Sequence, residues 1–202
     1  MTTAINPFAE DEYWSKTFTD LDLSGVQLSG KEFDGCTFKG CNFSDATFNK
    51  CKFVDCEFSH CNLSVINIAY SKFSDVIFDE CKVIGVNWSN AAWSSLSLSA
   101  PIKFHQCIIN DSSFYGLSLT EIVIEQCRAI NVDFREGDFS DANFSYTDFS
   151  GSLFHKTNLS RADFSEATDY DIDIYNNIIK GAKFCRLEAV RLLDSLEVEL
   201  VD

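Results

Sequence analysis

The chain has 202 residues, with 31 acidic against 16 basic side chains and a formal charge of −15. That balance argues against direct nucleic-acid binding, whose affinity rests on lysine and arginine neutralising phosphates. The opening "MTTAINPFAEDEYW" has neither a basic start nor a long apolar run, and no stretch approaches the roughly eighteen apolar residues of a membrane span, so a soluble, cytoplasmic protein without a secretory signal or membrane partner is predicted.

From Leu23 onward a large apolar residue recurs at every fifth position: Leu28, Phe33, Phe38, Phe43, Phe48, Phe53, Phe58, Leu63, Ile68, Phe73, Phe78, Val83, Trp88, Trp93 and Leu98. The next step would fall on Lys103, but Phe104 restarts the series, which continues through Ile109, Phe114, Leu119, Ile124, Ala129, Phe134, Phe139, Phe144, Phe149, Phe154, Leu159 and Phe164. Tyr13 and Phe18 extend it at one end, and Ile174, Ile179 and Phe184 at the other, with a break at Asp169. Of nineteen phenylalanines only Phe8 lies off this lattice. The single slip reads as a one-residue insertion around "SAPIK", where a proline without an N–H supports a break in any ladder.

A helix repeats its apolar face near 3.6 residues and a strand at 2, so neither explains a period of five. A second column two residues earlier is small or mid-sized: Cys36, Cys41, Ala46, Cys51, Cys56, Cys61, and later Cys107, Ser112, Cys127, Val132, Gly137 and Ala142. Residues two apart on a strand point the same way, so each unit sends one small and one large side chain inward and then turns. Such a unit cannot bury its own apolar pair and must wind with its neighbours into a solenoid. One domain over residues 1–202 is predicted, with coils over about 13–184 and a tail at 185–202. Cysteine spacings of both twenty and fifteen occur, which leaves the number of units per coil open.

Eight of the nine cysteines occupy the small inward column and read as reduced core thiols, because stacked Cβ vectors are parallel and give poor disulfide geometry. His60, His105 and His155 sit at outward positions far apart on the lattice, and no phosphate loop, HExxH or CxxC is present, so a non-enzyme without cofactor or metal is predicted. Trp88 and Trp93 read as a locally widened core at the slip, or as an aromatic-rich contact for a partner. In the tail, Leu187, Val190, Leu193 and Leu196 recur at intervals of three, which suits an amphipathic helix. Leu196, Val198 and Leu200 alternate, which suits a closing strand. A solenoid end must be covered, and capping is the first role of this tail.

The acidic residues are unevenly spread. Between 131 and 175, Asp133, Glu136, Asp138, Asp141, Asp148, Asp163, Glu166, Asp169, Asp171 and Asp173 face only three basic residues. This reads either as a solubilising surface or as a rod-like acidic surface that competes with DNA for a basic groove.

The units "ADFSE", "ANFSY", "CNFSD" and "CNLSV" resemble the pentapeptide-repeat family, whose motif is roughly A(D/N)Lxx. The resemblance covers about Tyr13 to Phe184. It implies an all-β fold, a right-handed quadrilateral β-helix with four units and twenty residues per coil. Length, one interruption near the middle and an amphipathic tail make the chain similar to the topoisomerase-protecting branch: Qnr-type quinolone resistance, microcin immunity and albicidin resistance proteins. This implies a DNA-mimic-like protein that binds DNA gyrase or topoisomerase IV and protects it against quinolone- or peptide-toxin-type inhibitors. It also implies a homodimer through the tail. The rival reading is an interaction scaffold with a non-topoisomerase partner. Many Qnr proteins carry long loops projecting from the coils, whereas the lattice count allows one inserted residue.

Overall fold

A computed structural model describes residues 7–93, 100–196, 198, 199 and 201. The chain winds as a parallel β-helix with four faces, each built from short rungs separated by corners. On the first face the rungs Glu12–Trp14, Glu32–Asp34, Lys52–Val54 and Lys72–Ser74 pair in parallel at a step of twenty residues, bringing Tyr13, Phe33, Phe53 and Phe73 into one column. On the second face the column is Phe18, Phe38, Phe58, Phe78, Phe104 and Ile124. The third face is a series of parallel bridges from Asp22 through Asn42, Asn62, Lys82, Ile108 and Arg128 to Asp148. The fourth carries Gln27–Ser29 on Thr47–Asn49, and further on Asn87, Ser113, Asp133 and Leu153 in register. The twenty-residue step resolves the spacing ambiguity: four units complete a coil.

Each rung donates to and accepts from the coils on both sides of it. The Lys52 N–H, for example, donates to the Lys31 carbonyl at 2.8 Å, while Gly35 N–H donates to Val54 O at 2.9 Å. At most corners the second residue after the large inward side chain turns into the left-handed region, as at Asp20 (φ 52°), Asp45 (57°), Asp55 (49°) and Asp141 (58°). Aspartate and asparagine tolerate that conformation better than most residues. Val65 adopts it too, at φ 59°, without such help.

Inside, rings of the same face stack nearly parallel from coil to coil. Phe38 lies 4.5 Å from Phe58, Phe33 lies 5.1 Å from Phe53, and Phe134 lies 5.1 Å from Phe154. Rings of adjacent faces meet edge-on, as Phe33 and Phe38 do at 5.4 Å, both geometries that the aromatic quadrupole favours. Phe43, Phe48, Phe53, Phe58, Phe78, Phe139, Phe144, Phe149 and Phe164 are fully buried, and Phe73 and Phe154 nearly so. Gly137 is the smallest member of the small inward column because a Cβ there would sit 2.4 Å from a ring carbon of Phe139.

The small column does more than fill space. The Cys41 N–H donates to Cys61 Sγ at 3.3 Å, and Cys61 Sγ donates to the Phe38 carbonyl at 3.3 Å. Ser71 repeats this: it takes the Cys51 N–H at 2.9 Å and donates to Phe48 O at 2.6 Å. Thr147 and Asn177 do the same, so the column calls for a small side chain that can hydrogen-bond along the axis. All nine cysteines are free thiols, and burial pushes Cys56 up to about 12 and raises Cys51.

Three expectations change. The interruption is six residues, not one: Phe78 pairs with Phe104, Lys82 with Ile108 and Asn87 with Ser113, all at a step of twenty-six. Regular register still holds at Ala92, whose N–H donates to Ser71 O at 2.8 Å, so the added residues fall at 94–99. Six and one differ by a full unit of five, which a count by fives cannot distinguish. The lattice position Leu98 lies outside the described residues. Trp88, at the start of a 3-10 turn over Trp88–Asn90, is fully buried 5.9 Å from Phe114, and Trp93 is half-buried with its indole N–H donating to Trp88 O at 2.9 Å, so both lie among the core aromatics.

Phe8, off the lattice, is also core. It is 1% exposed and meets Tyr13, Phe18 and Phe33 edge-on, closing the N-terminal coil that would otherwise end in open rings. At the other end Tyr170 replaces Asp169 as the buried residue, and Phe154 bridges Ile172, which makes Ile172 rather than Ile174 the buried isoleucine. The tail forms a 3-10 helix over Glu188–Leu196 that lays Leu192 on the core. Val198, Glu199 and Val201 form no strand, and Leu200 lies outside the described residues.

Two outcomes test this architecture. Deleting residues 94–99 restores a twenty-residue step, so the variant should keep the native circular dichroism spectrum and melt no lower than the parent. With eight cysteines buried, titration with an aromatic disulfide reagent should count about one fast thiol, Cys185, in the folded protein and all nine in denaturant.

Candidate partner-binding surface

The ten acidic residues between 133 and 173 do not form one patch. Asp138 and Asp141 belong to the first face and its corner, Asp163 and Glu166 to the second, Asp148 to the third, and Asp133, Glu136 and Asp173 to the fourth. Asp169 and Asp171 lie in the irregular last coil. Together they form a belt around the rod, so this charge can meet a basic groove from any side.

Local hydrogen bonding explains why aspartate and asparagine precede the large inward residue so often. The Ser140 N–H donates to Asp138 Oδ1 at 3.0 Å, and Ser150 donates to Asp148 through both N–H (2.9 Å) and Oγ (2.5 Å). Asn42, Asn62, Asn143 and Asn158 accept the same bond from the residue two positions on. Asn158 also donates to Asp138 across one coil at 3.0 Å. These side chains close a local turn, and an amide serves as well as a carboxylate.

Four of the ten acids are neutralised in place. Arg135 forks onto Asp133 (Nε 2.9 Å, Nη2 2.8 Å), Arg161 onto Asp141 (2.6 and 2.5 Å), Lys183 reaches Asp163 at 2.8 Å, and Arg191 reaches Asp169 at 2.6 Å. The guanidinium beside each holds the Asp133 and Asp141 carboxyls below the usual range. Glu136, Asp138, Asp148, Glu166, Asp171 and Asp173 carry no ion pair among the described residues. Glu136 lies beside the Tyr115 hydroxyl and raises its pKa, and Asp173 accepts from the Tyr175 N–H at 2.7 Å. These pairings were not legible in the sequence because each partner, apart from Arg135, lies about twenty residues away and the coil length was open.

The tail presents apolar side chains outward. Leu187 is 83% exposed, and Val190, Val198 and Val201 are exposed beside it, while Leu193 and Leu196 are half-buried. In a helix with three residues per turn, Ala189 and Leu192 form the side that rests on the last coil, which leaves Val190 on its flank.

His60 and His105 each meet one glutamate, Glu80 and Glu125, at 3.3 Å. Among the described residues no group of three or more histidine, cysteine, aspartate or glutamate side chains is arranged to hold a metal ion. Among them too, no helix is long and apolar enough to cross a membrane.

No curated protein sequence matches the chain. The pentapeptide repeat region profile matches residues 31–102, and the eight-copy pentapeptide repeats profile matches 118–155 and 133–168. Among solved structures the chain is similar to QnrB1, a plasmid-mediated fluoroquinolone resistance protein. One trypsin-treated form is 25% identical, covers 95% of this chain and 92% of its own, and superposes with a TM-score of 0.64. A second trypsin-treated form gives 26% identity, 94% and 90% coverage and 0.60. Full-length QnrB1, 19% identical with coverages of 93% and 100% and a TM-score of 0.59, shares the fold. With repeat signatures on both sides of the inserted segment and four-faced coils built from them, this chain belongs to the pentapeptide-repeat family.

Proposed function

We propose that this protein is a non-enzymatic, cytoplasmic homodimer that occupies the DNA-binding groove of a type II topoisomerase, DNA gyrase or topoisomerase IV, and counters inhibitors that trap the enzyme on DNA. The observation that carries the reading is the full-length likeness to a fluoroquinolone resistance protein, 25% identical over 95% of this chain. Shape and charge support it. Nine rungs on the second face, from Phe18 to Phe184, make about eight steps of about 4.8 Å, a rod of roughly 38 Å. The belt at residues 131–175 concentrates seven net negative charges on a little over two coils. With Lys183 and Arg191 pairing two of these acids from outside the stretch, about five remain, about one per 2.2 Å of axis, somewhat sparser than the one per about 1.7 Å of duplex DNA. The insertion is also six residues long rather than the one residue that the count by fives allowed.

The dimer contact is the exposed apolar end of the tail. Pairing two tails would place the acidic belts on either side of the dimer centre and bury Leu187 and Val190, whose exposure in one chain is otherwise costly.

Two measurements check this reading. Asp138→Asn, Asp148→Asn and Glu166→Gln together remove charge without removing the turn-closing acceptors. They should weaken gyrase binding about tenfold at low salt, with the difference shrinking as salt rises, and leave the melting temperature unchanged. The same number of neutralisations at Asp34, Asp45 and Asp55 should do much less. For the dimer, Leu187→Asp with Val190→Asp should give a folded monomer by light scattering, because neither side chain covers the core.

A further inference from the structure

On the first face, Trp14, Asp34 and Val54 stand in one outward column over three successive coils. Trp14 is 58% exposed on a face whose outward positions are otherwise mostly polar. A single exposed indole says nothing of a site by itself. Here it forms one wall of a shallow groove whose other wall is Val54, two coils or about 9.6 Å along the axis, with Asp34 between them. The outward column alongside is Glu12, Glu32 and Lys52. Lys52 reaches Glu32 at 3.5 Å, whereas Glu12 and Asp34 carry no ion pair among the described residues. The groove therefore sets an exposed indole and an apolar wall beside two unpaired carboxylates.

That combination suits one side chain. Carboxylates attract any cation, but an indole adds attraction for a cation that can lie over its ring. Lysine offers a compact, strongly hydrated charge with no flat face. Arginine can lay its guanidinium on the indole, fork onto a carboxylate through two parallel N–H···O bonds and rest its apolar stem on a valine. A metal ion is the poorer fit, because among the described residues no three such ligands are arranged to hold one. We propose that this groove binds an arginine side chain presented by a protein partner, stacked on Trp14 and forked onto Asp34, with Glu12 and Glu32 adding electrostatic pull. Tryptophan and arginine are also the residue types that carry much of the energy at protein contacts. The site does not rest on the topoisomerase reading. About five coils, roughly 24 Å, separate it from Asp138, so the acidic belt and the groove can be occupied together.

The test is two-dimensional proton–nitrogen NMR of the isotope-labelled protein, following the Trp14 indole N–H, which its loss in Trp14→Phe identifies. The probes are capped tripeptides, Gly-Arg-Gly, Gly-Lys-Gly and Gly-citrulline-Gly, the last keeping the shape of arginine without its charge. At low salt the arginine peptide should shift the Trp14 signal saturably, with half-saturation about fivefold below that of the lysine peptide, and the citrulline peptide should not shift it. Asp34→Asn should raise the half-saturation for the arginine peptide about tenfold and leave the melting temperature unchanged, because the side chain faces outward. Equal responses to arginine and lysine would mean general attraction to an acidic rod and overturn the proposal, as would no response to any peptide. The chain's own residues 1–6 are the competing occupant. A variant lacking them should leave the Trp14 signal in place; if the deletion itself displaces that signal and only the shortened chain takes up the arginine peptide, the groove belongs to the N-terminus and the proposal is wrong.

Discussion

The backbone of each rung is satisfied mainly by the coils above and below it, with local turns closing the corners. Donors and acceptors of Lys52 and Gly35 point along the axis, so one register, twenty residues, must hold over many turns. Other features follow from that constraint. Corners adopt left-handed geometry to turn within two residues, phenylalanines of one face stack because they arrive at equal intervals, and the small inward column must bridge coils by hydrogen bonds. Across the six added residues the register resumes, and Phe78 and Phe104 stack at 5.0 Å as rings twenty residues apart do elsewhere.

Much of this was legible in the sequence. The lattice of five located the inward phenylalanines, the cysteine column and the single interruption, because side-chain volume must alternate in step with the turn. What it missed has physical causes. A count by fives is blind to a whole added unit, so six residues looked like one. Phe8 and Tyr170 do their work at the ends, where the requirement is to cover a surface rather than keep a period. Cysteine, serine, threonine and asparagine recur at one column because each can accept from one coil and donate to the next, a pattern hidden while they were read only as small.

The acidic surface was located as composition and not as geometry. Ten acidic residues in one stretch of chain become a belt because five-residue units distribute successive side chains over four faces. Ion pairs to bases outside the stretch, Asp163–Lys183 and Asp169–Arg191, cancel local charge that the linear count left standing.

The axial direction of the hydrogen bonds also decides how the rod responds to being pulled from its ends. Load along the axis falls on one terminal rung at a time, so coils peel off singly rather than shearing together. Each released coil of twenty residues adds roughly 70 Å of extended chain. Only the coil that contains residues 94–99 adds more, roughly 90 Å, because it alone stores six further residues. The insertion is therefore a length marker within an otherwise uniform spool. The order in which the long step appears would tell from which end, Phe8 or the 188–196 helix, the molecule begins to unwind.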